Sequence, residues 1–98
     1  MYTMIGIIAT LRSKYVTTLS DICIKHIKRQ VRLEDGCSRC EMLISGDVIK
    51  LIEQWYREED YEYHKTSENL KLFKTIIEPL IDSIETEYFG EILSFPGE

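Results

Sequence analysis

The sequence predicts an all-α domain, a small compact bundle of three to four helices. Three observations carry that reading. Four stretches repeat apolar residues at three- and four-residue spacing. Gly and Pro are few, 5 and 2 in 98 residues. No Pro-, Gly- or Ser-rich linker divides the stretches. The length gives room for one domain, read as residues 1–98 with a short C-terminal tail at 91–98. With 44% hydrophobic and 30% charged residues the chain is too apolar to stay disordered.

The first predicted helix spans about Thr3 to Lys14, with Met4, Ile7, Ile8, Leu11 and Tyr15 in helical register. Gly6 and the β-branched residues weaken it, and an edge strand is the alternative. The second spans about Leu19 to Leu33. Leu19, Ile22, Cys23, His26, Ile27 and Leu33 form one stripe, and Lys25, Lys28, Arg29 and Arg32 gather opposite. A turn follows over residues 34–40, where Asp35-Gly36 supplies the residue that tolerates positive φ.

The third helix starts after Ser45, an N-cap with Asp47 in the first turn, and buries Val48, Leu51, Ile52, Trp55 and Tyr56. The fourth runs from Ser67 to Phe89, with Gly90 as its stop. Pro79 lacks a backbone donor and predicts a kink or a division into two short helices. Leu72 and Ile76 widen the apolar face beyond one core contact, which leaves room for a partner or a second copy of the chain.

The cysteines point to a metal. Cys23 and His26 form a C-x-x-H pair on a helix and Cys37 and Cys40 a C-x-x-C pair at a turn. Together they make a Cys₃His set suited to structural Zn²⁺, a staple between the second helix and the following turn. The alternatives are core and surface residues without metal, or a thiol–disulfide pair, the least favoured because no βαβ pattern accompanies the motif.

Charge is divided unevenly. Residues 1–33 hold six basic residues against Asp21, and the remainder holds six against sixteen acids, for a net charge of −5. The stripe Lys25, Lys28, Arg29 and Arg32 could face phosphates, but it carries no set of base-reading side chains and the whole chain is acidic. Nucleic-acid regulation is therefore the alternative reading. Trp55, Tyr56, Tyr61 and Tyr63 lie among acids and, with Leu72 and Ile76, form the candidate surface for a protein partner. In the tail, Ile92, Leu93 and Phe95 read as cover for the core.

No nucleophile triad, phosphate loop or His-Glu-x-x-His motif stands out. The sequence reading is thus a non-enzymatic protein-binding module, regulatory or inhibitory, with a structural zinc. The apolar start precedes its basic residues, unlike a secretory signal, and is too short to span a bilayer. That reading places the chain inside the cell.

Overall fold

The computed structural model describes residues 4–90 together with Leu93 and Phe95. The elements are β1 (Ile5–Arg12), α1 (Val16–Arg29), β2 (Cys37–Ser45), β3 (Val48–Trp55), α2 (Glu58–Lys65), α3 (Glu68–Ile77) and β4 (Ser83–Phe89). Single 3₁₀ turns occupy Val31–Leu33 and Glu78–Leu80. The four strands form one antiparallel sheet in the order β2-β3-β1-β4. This is the split βαβ arrangement of ferredoxin-like α/β domains, and it overturns the all-α expectation.

The first predicted helix is β1, and it is a central strand rather than an edge. Ile8 pairs with Ile52 on one side and Glu87 on the other. A strand bordered on both sides reads as a continuous apolar run, which is how residues 4–11 look in the sequence. The third predicted helix is β3, whose Ile49, Leu51 and Trp55 face the helices and are buried. Ser45 caps nothing. It ends β2 opposite Val48, across the two-residue loop Gly46-Asp47. Gly46 has φ 59°, as a Gly-first hairpin loop requires.

The second predicted helix stands as α1, although it runs from Val16 to Arg29, which leaves Leu33 of the predicted stripe outside the helix and exposed. Ser67 does cap α3, its side chain accepting from the Leu70 N–H at 3.1 Å. Pro79 ends the helix as its chemistry demands, and beyond it the chain turns into β4. Ser13 fixes that corner: its hydroxyl donates to the Leu80 carbonyl and accepts from the Tyr15 N–H.

All three helices lie on the sheet face that carries Ile7, Leu11, Ile49, Leu51 and Trp55. Leu11, Leu19, Cys23, Ile49, Leu51, Phe73 and Ile77 form the main core. Ile7, Val31, Trp55 and Tyr61 form a second cluster at the other end. Of the predicted tail, Leu93 and Phe95 are exposed rather than packed on the core, and Ile92 lies outside the described residues. Among the described residues no helix is long and apolar enough to cross a membrane.

Candidate active site

The sheet and the α2–α3 pair enclose a cavity of about 210 Å³. Strand alternation builds its floor, because Ile7, Leu11 and Leu51 point to the helix side of the sheet. Phe73 and Ile77 of α3 form the wall. On the third side stand Ile84, Thr86 and Tyr88 of β4, opposite Leu11, Ala9 and Ile7 in the register. Every residue of β4 is exposed, so the cavity opens along that strand. Lys65 and Lys74 complete its lining.

The polar end is made by Glu53, His64 and Tyr61. Glu53 occupies the inward position between Leu51 and Trp55, where the alternation of β3 calls for an apolar residue. Its Oε1 accepts the indole N–H of Trp55 at 3.0 Å. His64 is 3% exposed and faces a carboxylate at each ring nitrogen. Nδ1 lies 2.5 Å from Glu34 Oε2, and Nε2 lies 3.8 Å from Glu53 Oε1. Trp55 covers the imidazole, with ring centroids 4.5 Å apart. The Glu34 contact orients the ring and favours the proton on Nδ1, which leaves Nε2 toward Glu53.

Burial pushes the Glu53 carboxyl above its usual range, an effect the nearby His64 opposes. Tyr61 is likewise held in its neutral form, first by burial and then by its hydrogen bond with Tyr88. The result is a mostly apolar chamber ending in a carboxyl, an imidazole and a phenol, a set able to take up or deliver a proton.

The sequence candidates are distributed otherwise. Cys23 packs in the main core, while Cys37 and Cys40 pack against the Trp55 cluster. His26 stacks on Phe73 at 3.9 Å. The four expected ligands therefore serve separate packing sites, and among the described residues no group of three or more metal-ligating side chains is assembled. This corrects the zinc staple. Burial pushes the Cys37 thiol up to about 11 and the Cys40 thiol up to about 12, which also opposes a reactive thiol pair. Trp55 is core and Tyr61 lines the cavity, whereas Tyr56 and Tyr63 are exposed on the surface. Lys25, Lys28 and Arg29 are exposed on α1 and Arg32 on the 3₁₀ turn. Leu72 and Ile76 lie exposed on α3.

Glu34, Glu53, His64 and Tyr88 were missed as site residues. One signal was available: Glu53 is an acid on the inward face of Ile49-Leu51-Glu53-Trp55, visible once that segment is read with period two.

No protein-family model matches the chain, and no curated protein matches it by sequence. Solved structures do match in fold. A protein of Caulobacter crescentus provisionally named an antibiotic biosynthesis monooxygenase superposes with a TM-score of 0.84 at 18% identity, covering 94% of this chain and 92% of that one. One of the same provisional name from Nitrosomonas europaea gives 0.82 at 15% identity over 94% and 93%. A third, from Chloroflexus aurantiacus, gives 0.78 at 17% identity over 96% and 98%. These likenesses establish the class of fold, a ferredoxin-like α/β domain. The expectation of a non-enzymatic regulatory module rested on a helical bundle. The four-stranded sheet and the chamber beneath its helices overturn that premise, and the expectation with it.

Proposed function

We propose that this protein is an enzyme that binds a small, mostly apolar molecule between the sheet and α2–α3, with Glu53 and His64 moving a proton at the inner end of the cavity. The observation that carries this reading is the placement of His64 between Glu34 and Glu53 at the polar end of a mostly apolar chamber. Buried ionisable groups cost stability unless paired, and such groups converging on a cavity mark a functional site. The enzyme names of the structural neighbours support the same class, and monooxygenation is the reaction those names offer for a first test.

Cavity size bounds the substrate. A dry apolar cavity of about 150 Å³ takes a benzene ring, so 210 Å³ suits a ring with small substituents. A hydroxyl on that ring would be the group presented to Glu53 and His64. Glu34 orients the imidazole, and Trp55 holds Glu53 in place.

The test is a panel of hydroxylated aromatic compounds, with thermal stabilisation, substrate loss and oxygen uptake followed together. Oxygen-linked loss of one compound, lowered about 100-fold in kcat by Glu53→Gln or His64→Gln, supports the reading. Turnover indifferent to both substitutions, or binding without turnover across the panel, overturns it.

A further inference from the structure

A second concave site lies on the outer side of the helix layer. The contacts of His26 with Phe73 and of Gln30 with Asn69 show that α1 and α3 run antiparallel. Between them is an open groove of about 270 Å³. Ile22, Leu72 and Ile76 give it apolar walls, and Leu72 and Ile76 stay 60% and 45% exposed, although each is large enough to favour burial. The hydrogen bond from Asn69 Nδ2 to Gln30 Oε1, at 2.6 Å, ties the helices together at one end.

The charges around this groove are one-sided. Lys25 and Arg29, one helical turn apart, both line it, and no acidic residue does. That contrasts with the whole chain, whose net charge is −5. Among the described residues neither cation is in an ion pair. His26 adds an unpartnered polar atom, since its Nε2 is buried without a hydrogen-bond partner. Two features of the sequence, the basic stripe and the widened apolar face at Leu72 and Ile76, thus meet in one place.

We propose that the α1–α3 groove is a second binding site that takes a small apolar anion, an aryl or alkyl carboxylate. The apolar body lies along Ile22, Leu72 and Ile76, and the carboxylate meets Lys25 and Arg29. Charge complementarity selects the head group: a neutral molecule of the same shape leaves both cations unanswered, and an amine is repelled. Limited volume selects the size. The groove shares Phe73 with the chamber but neither Glu53 nor His64, and it does not depend on chemistry there.

Titration of the isotope-labelled protein with octanoate and 2-naphthoate, observed at the methyl groups by NMR, tests this directly. 1-Octanol and 2-naphthalenemethanol serve as neutral controls. The expected result is a shift of the Ile22, Leu72 and Ile76 methyls with Ile84 unmoved. The acids should bind about ten-fold more tightly than the alcohols, the worth of one charge-assisted contact. Lys25→Gln combined with Arg29→Gln should erase that difference while circular dichroism stays unchanged, since both residues are exposed. Shifts confined to Ile84, equal affinity for acid and alcohol, or no shift up to the solubility limit would overturn the proposal. So would concentration-dependent self-association abolished by Leu72→Glu, which would assign the groove to a second copy of the chain.

Discussion

Trp55 donates its indole N–H to Glu53, two residues back on the same strand and the same face. The carboxyl that closes the cavity is thus held by a core residue that is itself 1% exposed. Glu53→Gln keeps an oxygen for that bond and removes only the charge. Because burial raises the folded carboxyl above its ordinary 4.5, the folded state binds more protons than the unfolded one between those two values. Its contribution to stability is greatest below pH 4.5 and is lost as pH rises through the folded value. Urea midpoints of wild type and Glu53→Gln should therefore agree near pH 4 and separate toward pH 8, with the variant more stable. A wild type that gains on the variant as pH rises would contradict this.

His26 titrates in the opposite sense. Burial, with a smaller contribution from His64, lowers it from 6.5 to about 4. The unfolded chain then binds more protons than the folded one between pH 6.5 and 4, so acidification across that window destabilises the fold. His26→Phe, which preserves an aromatic face against Phe73, should flatten the dependence of the urea midpoint on pH there.

The thiols should be slow. With Cys23 and Cys37 pushed up to about 11 and Cys40 to about 12, the thiolate is scarce at neutral pH. Alkylation by iodoacetamide at pH 8 should run about 100-fold or more slower in the folded protein than in urea. A single fast cysteine in the folded state would show that one of these thiols is activated.

Gly36 is needed for room rather than for handedness. Among the described residues the positive-φ glycine is Gly46, not Gly36. A Cβ on Gly36 would stand 2.4 Å from Asp60 Cβ, at the first turn of α2. Gly36→Ala should cost about 1–3 kcal/mol in urea unfolding, whereas Leu72→Ala on the exposed face of α3 should stay within about 0.5 kcal/mol.

These residues also show how far the sequence could be read. The α1 stripe, the Ser67 cap and the break at Pro79 are local chemistry, and all three were legible. The strands were not, because Val48, Leu51, Ile52 and Trp55 fit a helical period while Ile49, Leu51 and Trp55 fit a strand. Glu53, the acid that builds the site, is also the residue that spoils the alternation. In β4, Ile84, Thr86 and Tyr88 alternate with Glu85 and Glu87, a strand pattern absorbed into the long apolar face before Pro79. Most of the candidate site was hidden for a different reason. Glu34, Glu53 and His64 become neighbours only through sheet register and helix docking, which no spacing rule encodes. Tyr61 stands out in the sequence, but as a surface contact rather than as a cavity wall.

The central position of β1 sets the order in which the molecule can assemble. Its hydrogen-bonding edges are satisfied by β3, near residue 50, and by β4, beyond residue 82. The β2–β3 hairpin, closed by two residues, can form as soon as it is synthesised. β1 must instead wait on the ribosome until β3 emerges, and its second edge stays open until β4 follows. Such distant pairings slow folding and leave an apolar edge open meanwhile, so the newborn chain is the stage at which this sheet is most exposed to mispairing.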